Sequence, residues 1–417
     1  MPDPLPILNT KLAATAETRW ADLPPLPPAP PPQDGPMGPG LPQPEYPSRP
    51  RLGKQRLGDG AYFRINGVRA FRGWAVPYLR SRLSSNSFYP LLAYLFTDWK
   101  CNLDCHYCWA NNNQIKGMNE SVARASIDWL RASGSRVLAI MGGEPLLRPQ
   151  FIHKVVYYAA QRGFFVYLPT NGRLMRPEVI DWLGDAGIAT INLAVDCVDE
   201  KPGLPKALNR IRPQFEYMLE AQRRYGFTSF LNVNITRINL DDVRQLTRIA
   251  HDSGIAIDYH INETPLFDQP DFKHMEVNAT YIQPEDYPRV DELVDWLIER
   301  QREGVKMVNS IEHLSKMKRL MRGPVEPWPC RAGQSTLVIR IDGTIAPCFP
   351  FYNENGEWGK VGEQARFSEW DSSKQTCSRR CFSTLNYTVA HAYNDRRVIA
   401  WMLKQAKRGF RGVSGGF

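Results

Sequence analysis

Six apolar runs, at 91–97, 136–141, 164–169, 189–196, 227–236 and 255–262, alternate with amphipathic stretches at 120–133, 150–162, 177–186, 206–225 and 240–253. A short run rich in Val, Ile, Leu or aromatics followed by a helix-periodic stretch reads as a strand and then a helix, and its repetition calls for parallel strands with crossover helices. Gly134, Gly163, Gly187, Gly226 and Gly254 stand just after these stretches, where a helix end favours a residue that accepts positive φ. The expected fold class is therefore α/β: six βα units forming a partial (β/α)6 TIM-like barrel, an architecture that places reactive groups at the C-terminal ends of its strands.

That rule directs attention to the loop after the first run, Cys101-Asn102-Leu103-Asp104-Cys105-His106-Tyr107-Cys108. Three thiolates in a C-x3-C-x2-C loop can wrap one corner of a 4Fe-4S cube but supply no fourth ligand, so one iron is left open to a small molecule. A zinc site with His106 as fourth ligand is the alternative, although His106 lies between two of the cysteines and would have to fold back onto the same ion. The second run ends in Met141-Gly142-Gly143-Glu144-Pro145, where two glycines let the backbone approach a ligand and Glu144 offers charge to a cationic amine.

The cysteine spacing, with the aromatic Tyr107 before the last cysteine, resembles the signature of the radical S-adenosylmethionine (SAM) superfamily, and Gly142 to Pro145 resembles its GGEP motif. The resemblance implies the same (β/α)6 core, reached above from other residues. It implies that Cys101, Cys105 and Cys108 hold a 4Fe-4S cluster whose open iron is chelated by SAM, and that Tyr107, Gly142, Gly143 and Glu144 place that cofactor. It extends to Asn171, in a Thr170-Asn171-Gly172 turn that is equally an ordinary Asn-Gly turn. Asp196 stands where the family often carries Ser-x-Asp, with Ala194 in place of the serine, and Asn234 shares a strand face with Asn232. Cys197, beside Asp196, is a candidate catalytic hydrogen-atom donor to a substrate radical, against its reading as a small buried hydrophobe. His260 and Glu263 are candidate substrate contacts on the same terms.

A second cysteine set follows the barrel: Cys330, then Cys348 after an alternating run and an Asp342-Gly343 hairpin turn, then Cys377 and Cys381. It resembles the SPASM/twitch extension of radical SAM enzymes without that extension's middle group of cysteines, which implies one auxiliary 4Fe-4S cluster with four ligands. Four thiolates also suit a closed zinc site.

Around these motifs the chain divides into a disordered Pro-rich tail (1–50), a lead-in segment (51–87), the barrel (88–310), a twitch-like hairpin and helix extension (311–389) and a basic amphipathic C-terminal helix and tail (390–417). No apolar run approaches the roughly 18 residues of a membrane span, no secretion signal is visible, and clustered cysteines favour metal ligation in a reducing compartment, so a cytoplasmic protein is expected. Aromatic residues and arginines over 64–85 and the basic end could rest on a membrane surface, or pack on and close the barrel. The net charge of +9 alone decides no partner, and no nucleic acid is expected. The resemblance implies a radical SAM enzyme, fed electrons by a reductant such as flavodoxin or ferredoxin, that abstracts hydrogen from a substrate. A small metabolite or lipid is ranked first, since the run through Cys108 to Leu147 also resembles radical SAM enzymes of hopanoid lipid synthesis. A peptide ranks second, and a non-catalytic electron-transfer protein is the rival outside the enzymes.

Overall fold

A computed structural model of the chain describes residues 69, 71–83, 88–261, 278–352, 358–363, 370–381 and 383–394. The expected Pro-rich tail, Glu263 and the C-terminal helix beyond 394 lie outside the described residues.

All six expected units form. The strands are β1 (Leu92–Phe96), β2 (Val137–Met141), β3 (Phe165–Thr170), β4 (Thr190–Ala194), β5 (Thr228–Ile235) and β6 (Ala256–Ile261). The helices between them are α2 (Glu120–Ala132), α3 (Pro149–Gln161), α4 (Pro177–Ala186), α5 (Arg212–Tyr225) and α6 (Leu240–Asp252), with α1 (Val76–Leu83) ahead of the sheet. The five punctuating glycines all take positive φ, from 69° to 92°. At Gly187, φ 92° lets the chain leave α4 in a left-handed turn that an L side chain would strain.

Alternation along the strands sorts the two faces of the sheet. Leu95, Leu138, Ile140, Leu168, Ile191, Leu231 and Ile257 pack under the helices, almost all fully buried. Each such side chain contributes about 1.5–3 kcal/mol relative to exposure. The opposite face carries Leu92, Tyr94, Phe96, Val137, Ala139 and Phe165 on its first three strands. On β4 to β6 that face carries the polar Asn192, Asn232, Asn234, Asp258 and His260 together with Ala194, Phe230 and Ala256.

Two features depart from the sequence expectation. Helix α5 starts at Arg212 rather than 206, because residues 206 and 207 pair back onto Asp196 and Cys197 and a 3-10 turn, Leu208–Arg210, follows. Pro213 then stands in the first turn of α5, where its missing N–H costs nothing. The second departure is larger. After α7 (Tyr287–Arg302) and α8 (Ile311–Leu320), strand β7 (Thr336–Ile339) pairs parallel with β1, and the short β8 (Ile345–Ala346) pairs antiparallel with β7. The hairpin expected from Asp342-Gly343 forms, with Gly343 at φ 88°, but it extends the barrel sheet to eight strands in the order β6-β5-β4-β3-β2-β1-β7-β8. Helices α9 (Trp370–Cys377) and α10 (Thr384–Asn394) complete the described chain.

The lead-in residues pack against the start of the strands. At Gly73, in a π-helical turn, a Cβ would stand 3.1 Å from the Arg136 carbonyl and 3.3 Å from Phe165, a tight fit, and Arg69 donates to the Gly187 carbonyl at 2.9 Å. Tyr78 of α1 meets Tyr393 of α10 edge to face, which ties the two ends of the described chain together. Leu79 and Leu83 of α1 remain exposed. No helix among the described residues is long and apolar enough to cross a membrane.

Candidate active site

The cysteine loop leaves the C-terminal end of β1 and is held on two sides. On one side Gly143 and Glu144 donate their backbone N–H groups to the carbonyls of Asp98 and Lys100, both at 2.7 Å. A Cβ on Gly142 or Gly143 would overlap the backbone of residues 98–100. The two glycines are thus needed for the chain's own close approach, quite apart from any ligand. On the other side the His106 N–H donates to the Gly203 carbonyl at 3.1 Å, which joins the cysteine loop to the loop after β4.

Cys101, Cys105 and Cys108 are free thiols on this loop. Burial pushes all three thiols up, Cys101 to about 12, and the positive charge of Lys206 opposes that push at each of them. Cys108 also raises Cys101 and Cys105, and Cys101 raises Cys105, as neighbouring thiols do. This donor set, three free cysteines of one short loop with the half-buried Lys206 beside them, suits a thiolate-held iron–sulfur group. Among the described residues no three His, Cys, Asp or Glu side chains close to the distances of a single ion, so spacing, burial and redox state are what point to the cluster.

Glu144 is buried, at 1% exposure. Its carboxylate accepts from the Leu146 N–H at 2.9 Å, the Thr170 hydroxyl at 2.8 Å and the Asn171 N–H at 2.8 Å. Burial pushes its pKa up, and these donors pull the other way. Asn171 spans three elements: its N–H goes to Glu144, its side-chain amide donates to Asn102 of the cysteine loop at 2.8 Å, and its amide oxygen accepts from the Arg173 N–H.

Tyr107 points its hydroxyl between two charged groups. It donates to Asp196 and accepts from the Lys206 ammonium, the latter at 2.8 Å. Asp196 also accepts from the Asn234 N–H at 2.9 Å, and Asn239 bridges the Asp196 and Asn234 carbonyls. Asn234 thereby reaches the site through its backbone. Of the residues singled out in the sequence, the three cysteines, Tyr107, Glu144, Asn171, Asp196 and Asn234 are thus joined in one network at the strand ends.

Cys197 is placed differently. It is fully buried beneath the loop 201–207, its thiol donates to the Leu204 carbonyl at 3.3 Å, and burial with the neighbouring Asp196 and Asp242 pushes its pKa up. A substrate could meet this thiol only if that loop lifted. His260 lines the inner face, with Asp258 at 3.3 Å and Asn232 at 2.8 Å.

Lys206 was not singled out by sequence reasoning. It is a single lysine in Leu204-Pro205-Lys206-Ala207-Leu208, and the apolar company of a charged residue is the one signal it leaves.

The second cysteine set also comes together. Cys348 is buried with Ala332 and Phe351, and Cys330 and Cys377 pack against that group. Cys381, Cys330 and Cys377 all add to the burial that pushes the Cys348 thiol up. All four are free thiols.

Residues 100–255 match the family model of the Radical SAM superfamily, so the chain carries a Radical SAM domain over those residues. It is 28% identical over 212 residues to an AdoMet-dependent heme synthase of Methanosarcina barkeri, covering 49% of this chain and 56% of the relative. The chain spans about half the length of the curated relatives it matches. Among solved structures it resembles SuiB of Streptococcus suis bound to S-adenosylmethionine (TM-score 0.53, 17% identity, 70% of this chain and 68% of that one). It also resembles anSMEcpe with bound AdoMet (TM-score 0.52, 16% identity, 75% and 99%). These two likenesses concern the fold.

Proposed function

We propose that this chain cleaves SAM reductively and uses the resulting radical to take a hydrogen atom from a small, partly apolar substrate. The observation that carries the reading is the joining of Cys101, Cys105 and Cys108 to Glu144, Tyr107, Asp196 and Asn171 at the ends of β1 to β4. When bound, a 4Fe-4S cluster and SAM supply the one-electron reduction and the 5'-deoxyadenosyl radical. The protein's own part is to hold and shield. The three thiolates would bind the cluster, and Gly142 and Gly143 let the turn after β2 lock onto its loop. Glu144 is a buried carboxylate beside Cys101, suited to the SAM amine, while Tyr107, Asp196 and Asn234 would border the rest of the cofactor.

The inner face of the sheet favours a small metabolite or lipid. Phe96, Trp99, Trp109 and Tyr352 form an aromatic wall with ring centroids 4.6–5.6 Å apart. The polar Asn192, Asn232, Asp258 and His260 follow on β4 to β6. Apolar walls with a few convergent polar groups suit a small molecule. The relatives named heme synthases make a tetrapyrrole one member of that class. A peptide is the second reading, on the likeness of fold to SuiB, which is also described bound to precursor peptide SuiA.

Cys330, Cys348, Cys377 and Cys381 would hold an auxiliary 4Fe-4S cluster in a twitch-like extension. Four protein ligands would close it to substrate, which suits electron transfer. A flavodoxin or ferredoxin would serve as the reductant, and exposed Leu79 and Leu83 beside Arg80 and Arg82 support peripheral membrane contact.

The test is anaerobic reconstitution with iron and sulfide, then dithionite and SAM. 5'-Deoxyadenosine should form, and iron and sulfide should approach two 4Fe-4S clusters per chain. A loaded protein that leaves SAM intact would overturn the first claim. Stoichiometric zinc with one cluster would overturn the second.

A further inference from the structure

The loop from Cys197 to Ala207 is fastened at both ends of its course. Asp196 and Cys197 donate their N–H groups to the Lys206 carbonyl at 2.8 and 3.3 Å, which fixes the backbone of Lys206 against the exit of β4. Gly203 accepts from the His106 N–H and lies so close to the His106 ring that a Cβ there would overlap it. Lys206 is therefore not a surface lysine free to swing away. Its ammonium donates to the Tyr107 hydroxyl at 2.8 Å, and Tyr107 sits between Cys105 and Cys108 in the chain. The Tyr107 hydroxyl proton is committed to Asp196, so the phenol keeps Lys206 as its donor partner.

The groups that act most strongly on this ammonium by charge are Asp196 and the thiols of Cys101, Cys105 and Cys108. Asp196 and Glu144 are buried carboxylates within its influence, and a cluster held by Cys101, Cys105 and Cys108 would add three thiolates. Each addition of an electron to such a group makes the site more negative still, in surroundings that solvate charge poorly. A fixed cation there stabilises the reduced form over the oxidised form, as do N–H donors facing cluster sulfur. Lys206 has three N–H donors and gives one to Tyr107.

We propose that Lys206 is a positioning residue whose fixed charge makes the cluster of Cys101, Cys105 and Cys108 easier to reduce, and so governs how readily SAM cleavage begins. The proposal rests on the reading that these cysteines hold the cleaving cluster. The direction of the charge effect agrees with the thiols themselves: Lys206 lowers the cost of the thiolate form at all three, and at Cys105 and Cys108 it is the largest influence opposing burial.

The experiment compares full-length wild type with Lys206→Met and Lys206→Arg after anaerobic reconstitution. It reads the midpoint potential of the cluster whose paramagnetic resonance signal changes on adding SAM, first without SAM, together with iron content. Lys206→Met is expected to move the midpoint to more negative potential, by at least a tenfold change in the ratio of reduced to oxidised cluster, which is about 59 mV for one electron. Lys206→Arg should recover most of that shift because it keeps the charge. If Lys206→Met cannot hold the cluster while Lys206→Arg can, charge compensation is again supported. An unchanged midpoint in Lys206→Met overturns the proposal, and does so even if SAM affinity falls, since Lys206 would then act on SAM alone. An arginine variant that behaves like the methionine variant also overturns it, because packing and not charge would be responsible. Absence of any SAM-sensitive cluster signal in the wild type is a different failure, that of the assignment of the cleaving cluster itself.

Discussion

Glu144 serves the fold, and the proposed function gives it a ligand as well. Its carboxylate satisfies the N–H groups of Leu146 and Asn171 and the Thr170 hydroxyl, so it fixes the turn after β2 before any cofactor arrives. Replacing it with Gln brings an amide NH2 against donors and removes the charge proposed to face the SAM amine. Glu144→Gln should therefore weaken SAM binding by about 1.5–3 kcal/mol, roughly ten- to a hundredfold, with iron content retained, as measured by calorimetric titration. Unchanged affinity would assign Glu144 to the turn alone. Gly143 gives a second prediction at this scale. A Cβ there overlaps the Lys100 carbonyl, so Gly143→Ala must displace the start of the cysteine loop, with a cost of about 1–3 kcal/mol and a loss of bound iron. Wild-type iron content and thermal midpoint in that variant would show that the contact yields easily. The glycines and Glu144 were legible in the sequence because they form a contiguous motif. Lys206 was not, because its partner Tyr107 lies 99 residues away and a single lysine carries no spacing to read.

At the scale of elements, the local rules located every strand and helix of the barrel, and they failed where a distant contact took over. Pro177–Ala186 is a helix from its proline to the residue before Gly187, as expected. The start of α5 was misplaced because residues 206 and 207 pair with the end of β4, which no local periodicity reports. Helix α8 carries a testable consequence of burial. His313, 1% exposed, stacks edge-on against Tyr387, and burial together with repulsion from His260, His391 and Lys316 holds its pKa down to about 3, against an ordinary 6.5. Its folded form refuses a proton that the unfolded chain accepts. The stability it contributes is therefore full above about pH 6.5 and is lost as pH falls towards 3. Chemical denaturation of the metal-free chain should show stability falling from pH 6.5 to 4, by on the order of a few kcal/mol, and His313→Gln should flatten that slope. An identical slope in the variant would mean that other groups control the acid limb.

The whole molecule is held together by a sheet that grew beyond the barrel. The eight-stranded order puts β7 beside β1, so the hairpin leading to Cys348 is built on the same strand that launches Cys101. The hairpin itself could be read from Asp342-Gly343, but its partner could not, since β7 begins 240 residues after Phe96 ends β1 (336 against 96) and pairing over that span leaves no local pattern. Through this pairing the two cysteine sets belong to one packed unit. The match of residues 100–255 to the Radical SAM superfamily supplies the chemistry to be tested. The most direct measurement is SAM cleavage and iron content in a variant with Cys101, Cys105 and Cys108 all changed to Ala, reconstituted beside the wild type. The account predicts that 5'-deoxyadenosine formation disappears and that bound iron falls by one cluster's worth, while the remainder stays with the second set. Cleavage of SAM at the wild-type rate by that variant would contradict it.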